Sequence, residues 1–280
     1  MLDQVVRYLV CPYCGNPMTS AAGSLRCETG HTFDIARQGY VSLLPAGWRG
    51  DAGDTAAMVQ ARERFLTAGH FGPVTTRLVA LAEQLRPESP GCVVDLGAGT
   101  GHYLAAVLER LTDRAGLALD VSKPALRRAA RAHPRVGAVA CDIWHGLPIA
   151  DAAAAVVLNV FAPRNAPELA RILHPSGRLL VVTPTGRHLD ELVAALGLVT
   201  VDRHKPQRLA AQLGSSFVQL DQQDVTATLR LSHADVEALV AMGPSARHTD
   251  AAVLGERIGQ LPEHTEVTLS VTVGVFRRLG

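Results

Sequence analysis

Lysine is nearly missing from this chain: of its 27 basic residues only Lys123 and Lys205 are lysines. Together with abundant Ala, Arg, Gly and Pro, that bias reflects a GC-rich genome and carries no mechanism. Long apolar runs are missing too. No stretch of eighteen apolar residues occurs, which excludes a simple membrane-spanning helix. The opening MLDQVVRYLVCPYC lacks a basic leader followed by an apolar stretch and a small-residue cleavage site, so a cytoplasmic protein is expected. Excess charge is also lacking. A net charge of +1 neither demands nor excludes a nucleic-acid partner, because a binding groove depends on the local arrangement of charge. The chain of 280 residues is 48% hydrophobic and 19% charged, which excludes a mostly disordered chain and fits a globular α/β protein of one large or two modest domains.

Three of the five cysteines fall within the first 27 residues. Cys11-Pro-Tyr-Cys14 is followed by Cys27 and then His31, a spacing that suits metal better than disulfides. Two thiols two residues apart bind one ion from a tight turn, and the second pair closes a tetrahedral Cys₃His shell of the kind zinc prefers. With all four positions filled by protein, no place is left for an activated water, so the zinc is expected to be structural. Gly15 and Gly30 stand where such turns need permissive backbone. The short segment around the metal cannot bury much core, and metal binding would supply folding energy. Cys92 and Cys141 lie in apolar, strand-like segments and read as small core residues.

From residue 92 the pattern changes. Cys92–Leu96 is a short apolar strand running into Gly97-Ala-Gly99-Thr-Gly101, and a helical stretch from His102 to Leu111 follows. Strand, glycine loop and helix in that order bring backbone amides close to a ligand that side chains would obstruct. A nicotinamide fingerprint needs G-x-G-x-x-G, but position 102 is His, so the dinucleotide reading weakens. Asp95 adds a carboxylate just before the loop. It would repel a pyrophosphate and attract the ammonium group of S-adenosylmethionine. The next strand, Ala115–Asp120, ends in the acid expected to bind ribose hydroxyls. A third, Val136–Cys141, runs to Asp142, placed to accept a bond from an adenine amino group. Each aspartate taken alone reads better as a loop or cap residue; three at the ends of three strands point to a cofactor edge.

Further strands are expected at Ala154–Asn159, Arg178–Thr183 and Val267–Phe276, helices at Ala166–Leu173 and Leu189–Leu196, and a turn at His174–Gly177. The expected fold is a doubly wound, Rossmann-like α/β sheet with a small N-terminal zinc-binding domain. The expected division is 1–45 zinc module, 46–85 helical linker with a helix over Ala56–Leu66, and 86–280 methyltransferase domain.

Several segments resemble the bacterial large-subunit ribosomal RNA guanine-N1-methyltransferases, over nearly the whole chain. They include Cys11-Pro-x-Cys14, Phe33-Asp-x-Ala-x-x-Gly-Tyr-Val41, Leu43-Leu-Pro45, Gly53-Asp54, Met58, Gln60-Ala-Arg62, Phe65-Leu66 and Gly69-His70. Leu119-Asp-Val-Ser-Lys123, Ala162-Pro163, Glu168-Leu-Ala-Arg171 and Arg187-His-Leu189 continue the likeness, which is particularly to the Gram-positive branch associated with tylosin resistance. The resemblance implies methyl transfer from S-adenosylmethionine to a guanosine N1 in a domain II hairpin of 23S RNA, a zinc module that helps to recognise RNA, a homodimer, and macrolide resistance. It also implies that Phe71, His102, Tyr103 and His188 lie near the cofactor with Gly97, Gly99 and Gly101. Asn159, ending the fourth strand where a target base approaches, is grouped with them. Asn159-Val-Phe-Ala-Pro163 departs from the Asn-Pro-Pro-aromatic motif used on exocyclic amines. No catalytic base is assigned, and neither His70 nor His188 is taken as one.

Lys123, Arg127, Arg128, Arg131 and Arg135 form one basic cluster and Arg203, Lys205 and Arg208 another. Phosphate contact and a solvated face are equally open for both. Two other functions share the motifs: a small-molecule methyltransferase with a zinc-containing regulatory module, and a non-catalytic zinc-containing RNA-binding protein.

Overall fold

The computed structural model describes residues 2–48, 53–88, 90–198, 211–243 and 251–279. The basic run of Arg203, Lys205 and Arg208 lies outside the described residues. The chain begins with α1 (Leu2–Val5), the three-stranded antiparallel ribbon β1 (Met18–Ala21), β2 (Ser24–Cys27) and β3 (Thr32–Asp34), then β4 (Tyr40–Ser42), α2 (Ala56–Thr67) and α3 (Gly72–Gln84). Next come β5 (Cys92–Leu96), α4 (His102–Arg110), β6 (Gly116–Asp120), α5 (Lys123–Ala132), β7 (Val136–Ala140), β8 (Ala154–Val160), α6 (Ala166–Ile172), β9 (Leu173–Pro184) and α7 (Asp190–Leu196). The last part holds β10 (Phe217–Ser232), α8 (His233–Ala241), α9 (Ala251–Gly259) and β11 (His264–Arg278). Among the described residues no helix is long and apolar enough to cross a membrane.

Eight strands form one sheet in the order β10-β11-β9-β8-β5-β6-β7-β4. The pairs from β9 to β4 are parallel, and β11 runs antiparallel against β9 and β10. Strand order reverses between β5 and β8, so the carboxyl ends of these two strands open a crevice where open α/β sheets bind ligands. β5, β7 and β8 are buried along their whole length because helices cover both faces, which explains their near-continuous apolar sequence, broken only by Asp95 and Asn159. Alternation then assigns the faces: Val93 and Ala118 enter one core, Val94, Leu117 and Leu119 the other.

The first core is capped by α2, α3, α4, α5, α7 and α8, and the second by α1, α6 and the N-terminal ribbon. Met18, Leu25, Phe33, Cys11 and Cys27 of the ribbon share that second core with Leu96 and Leu119. β4 lies parallel to β7, pairing Val41 with Val139. A methyl on Gly137 of β7 would collide with the Val5 side chain of α1, so α1 sits directly on the sheet. The described residues of 1–45 and 86–280 therefore share a sheet and a core, and α2 and α3 of the 46–85 segment form part of a helical face. The expected turn at His174–Gly177 is an interruption inside β9, where Leu173 pairs with Ala154 and Arg178 with Val156. Of the first basic cluster, Lys123, Arg127, Arg128 and Arg131 are exposed, with Arg128 near Glu63. Arg135 does not face solvent with them: its guanidinium holds the carbonyls of Leu108, in the last turn of α4, and of Leu111 and Arg114 just beyond it, where a helix leaves acceptors unpaired.

Candidate active site

β5 delivers the chain to the crevice and the glycine loop turns it into α4. Gly97, Gly99 and Gly101 all take positive φ, at 73°, 54° and 80°. Each has a different reason. A methyl on Gly97 would lie 2.6 Å from that of Ala162, and one on Gly99 3.3 Å from the guanidinium of Arg62. One on Gly101 would press on Ala129 and Ala132 of α5 at 3.1 Å. Gly97 and Gly99 line the cleft, whereas Gly101 serves helix packing. The carbonyl of Leu119 accepts the amides of Gly97 and Ala98, both at 2.9 Å.

Asp120 accepts the Gly99 amide on Oδ2 and the Ser122 amide on Oδ1, both at 2.8 Å. It thus ties the glycine loop to the start of α5. Burial pushes its carboxyl up, partly offset by the Ser122 and Gly99 amides.

The cleft measures about 530 Å³, within the range of small-ligand sites. Phe71, Asp95, His102, Tyr103 and His188 line it with the first two glycines. Asp95 is 1% exposed, and its Oδ2 has no hydrogen-bond partner among the described residues. Burial, and next the Asp120 carboxylate, push its carboxyl up to about 7. An orphaned carboxylate oxygen under a glycine loop fits a ligand that brings a cationic donor, and the apolar wall of Leu66, Val160 and Leu192 fits a flat heterocycle. These residues suit S-adenosylmethionine. His102 lies with Nε2 3.1 Å from the Thr75 hydroxyl, and burial lowers its pKa. His188 is buried, and its Nδ1 accepts the Ser270 amide at 3.2 Å.

Four predicted positions stand back from the cleft lining: Gly101 and Asp120, described above, and Asp142 and Asn159. Asp142 accepts from Trp48 Nε1 at 3.3 Å and the Trp144 amide at 3.0 Å, and lies 3.0 Å from His145 Nδ1. Burial works against its carboxylate, but these partners hold the pKa below the usual value. Asn159 is fully buried: Nδ2 donates to the Pro163 carbonyl at 3.0 Å, and Oδ1 accepts from Arg164 Nε at 3.0 Å. Its side chain shapes the loop after β8 instead of projecting into the cleft.

Four contributors escaped sequence reading. Arg62 of α2 reaches Asp54 and donates to the Met242 carbonyl at 2.9 Å, bridging distant segments beside Gly99; Gln60-Ala-Arg62 was its only signal. Leu239 and Val240 of α8 close one side of the cleft. Phe161 follows β8 with φ 54°, a region that costs a bulky side chain on the order of 1–3 kcal/mol.

The zinc ligands converge. Sγ of Cys11, Cys14 and Cys27 and Nδ1 of His31 all lie within 4.8 Å of one another. Cys14 and Cys27 sulfurs are 3.7 Å apart, and His31 Nδ1 is 3.5 Å from Cys11 and 3.4 Å from Cys27. Tetrahedral zinc with ordinary bond lengths would set these edges at roughly 3.8 and 3.5 Å, so the donors fit the ion. Burial raises the Cys27 thiol, but Thr29, His31 and Cys14 outweigh it and bring the pKa to about 6, towards the thiolate that zinc needs. Gly15 and Gly30 take positive φ at the two turns.

Residues 9–49 match the family model described as RlmA, N-terminal, a zinc ribbon, and residues 93–182 match one for a methyltransferase domain. Over its full length the chain is 54% identical to the 23S rRNA (guanine(748)-N(1))-methyltransferase of Streptomyces fradiae, covering 100% of both proteins. It is 50% identical to a Micromonospora griseorubida protein provisionally named 23S rRNA (guanine-N(1)-)-methyltransferase, covering 99% of each. Among solved structures, a Haloferax volcanii methyltransferase in complex with the Trm112 methyltransferase activator matches with a TM-score of 0.52 and 16% identity. That match covers 82% of this chain and 100% of that one, a likeness of fold alone. A glycine-loop cleft and a zinc ribbon joined in one chain, with identity of this size from end to end, leave no place for the small-molecule or non-catalytic readings. The chain belongs to the S-adenosylmethionine-dependent 23S rRNA (guanine-N1)-methyltransferases.

Proposed function

We propose that this protein methylates N1 of guanosine 748 in the domain II hairpin of 23S rRNA and so confers macrolide resistance of the tylosin type. The full-length likeness to the Streptomyces fradiae enzyme carries the choice of nucleotide. On this reading the zinc ribbon, residues 1–45, recognises RNA, two copies of the chain form the hairpin cleft, and the enzyme works in the cytoplasm. The test is primer extension on unmodified 23S RNA after incubation with enzyme and S-adenosylmethionine. N1-methylguanine blocks the pairing edge, so a single new stop at 748 is expected; a stop elsewhere, or none, rejects the assignment.

When bound, S-adenosylmethionine supplies a methyl carbon made electrophilic by its sulfonium. The residues do the rest by position. Gly97 and Gly99 let the backbone approach, Asp95 would hold the ammonium, and Asp120 would serve the ribose side by fixing the loop. Phe71, His102 and Tyr103 wall the cleft and exclude water. Asp142 meets the adenine edge through the cluster it organises with Trp48. Guanine N1 attacks with its lone pair and must lose its proton. His188 is not the acceptor through Nδ1, because the Ser270 amide already uses that lone pair and the neutral ring therefore carries its proton on Nε2. We infer that water takes the proton after transfer.

Asp95 makes cofactor binding pH-dependent. A bound ammonium favours the ionised carboxylate, so affinity should rise as pH climbs through about 7, by roughly tenfold from pH 6 to pH 8. Because the folded pKa lies above the unfolded one, Asp95 stabilises the ligand-free fold below about pH 4, and that contribution is lost as pH rises through about 7. Calorimetric titration across this range checks the first point. Asp95→Asn should bind weakly with a flat pH profile, and an unchanged profile would remove Asp95 from this role.

A further inference from the structure

Phe161 is 40% exposed at the mouth of the cleft, an unusual setting for a phenylalanine. Its left-handed backbone is held from several sides. The Phe161 amide donates to the Val182 carbonyl at 3.2 Å, and the Asn159 side chain clamps Pro163 and Arg164. Arg164 Nη2 donates to the Ala162 carbonyl at 3.2 Å, and Ala162 rests against Gly97. The loop is therefore over-determined, and the strain it carries fixes where the ring points. That ring lies 6.0 Å from His188 with planes 17° apart, and 6.0 Å from Phe71 at 47°. Phe71 and His188 are buried, so together they form a backing against which Phe161 leans.

A target guanine in a hairpin must leave its neighbours to bring N1 to a methyl donor, and the lost base stacking has to be replaced. Aromatic side chains do this for any base because every base presents a π face. We propose that Phe161 is the platform on which the target guanine stacks during methyl transfer, with Phe71 and His188 supporting the ring from behind. Asn159 and Arg164 are then positioning residues that aim the platform. The placement rests on the reading that a ribosomal guanine is the substrate. It assigns Phe71 and His188 a duty towards the base as well as the cofactor, and it gives the buried Asn159 a function that contact with the base would not.

The test compares the wild-type enzyme with Phe161→Leu and Phe161→Trp on a domain II hairpin RNA, measuring methyl transfer and, separately, S-adenosylmethionine affinity. Leucine keeps bulk and loses the π face. Its kcat/KM should fall about 5- to 150-fold, the range expected for one lost base stack, while tryptophan stays within about threefold of wild type. Cofactor Kd should move less than about twofold in both, since the lost face meets the base. In the unaltered protein, 6-thioguanosine at the target position should cross-link on irradiation to the peptide carrying Phe161, a readout independent of how either variant folds. A leucine variant as active as wild type, a cofactor Kd that weakens in step with kcat/KM, or cross-links confined to other segments overturns the platform. If the wild-type enzyme leaves the hairpin unmethylated, the substrate reading fails with it.

Discussion

Stripping zinc with a chelator, or replacing Cys27 by serine, should unfold residues 10–35 while the sheet behind them stays folded. The ribbon buries little of its own. β1 contributes only Met18, β2 contributes Leu25 and Cys27, and β3 contributes Phe33. A structural zinc site supplies about 10–16 kcal/mol in small modules, as much as the whole stability of an ordinary domain, so so small an apolar set cannot replace it. Beyond Ile35 the anchoring changes. Tyr40–Ser42 pair with β7, and Val41 is fully buried in the shared core, so β4 does not depend on the metal. Hydrogen exchange read by mass spectrometry should therefore show protection lost over 10–35 and kept in β5, β6 and β8. No zinc ligand lines the cofactor cleft, so S-adenosylmethionine affinity should survive while transfer to RNA collapses. Unchanged exchange over 10–35 after metal removal would sink the structural role of the ion. Equal loss of cofactor binding would mean that the second core transmits the damage to the glycine loop.

The parts of this protein legible in the sequence are those where chemistry fixes local spacing. Cys11, Cys14, Cys27 and His31 must meet around one ion, and the loop from Gly97 to Gly101 needs positive φ at alternate residues, so both leave marks along the chain. Strands buried on two faces, such as Ala154–Val160, stand out as apolar runs. β10 does not. Among the described residues it is an edge strand paired only with β11, it carries the polar and mostly exposed run Asp-Gln-Gln-Asp, and polar edges of this kind look like loops. β4 is three residues long, and its place beside β7 is decided by a partner nearly a hundred residues away. Direction is harder still. Asn159 and Asp142 sit at strand ends as expected, but their atoms turn to Pro163, Arg164 and Trp48, contacts set by loops whose course no periodicity reveals. Phe161 was hidden for the same reason, since its importance lies in a backbone angle and not in a spacing.

Gly97→Ala should nearly abolish methyl transfer, and Ala162→Gly should restore part of it. The added methyl meets two separate penalties. At φ 73° an L side chain costs about 1–2 kcal/mol. Lying 2.6 Å from the Ala162 methyl, it adds crowding worth about 1–3 kcal/mol in a packed setting. Relief is available in two directions, and both reach the chemistry. Either the glycine loop swings away from Ala162, or Ala162 is driven outwards and carries Phe161, its neighbour in the chain, with it. A displacement of the reacting groups by about 1 Å costs on the order of a hundredfold in rate, so kcat/KM should fall at least that far. Removing the Ala162 methyl abolishes the crowding and leaves the backbone cost in place. The double variant should therefore be more stable and more active than Gly97→Ala alone, with a coupling of about 0.5–3 kcal/mol between the two positions in thermal unfolding. Strict additivity would show that the glycine loop and the Phe161 loop do not act on each other. A coupling of the expected sign would make the Gly97–Ala162 contact the point at which cofactor loop and substrate loop set each other's position.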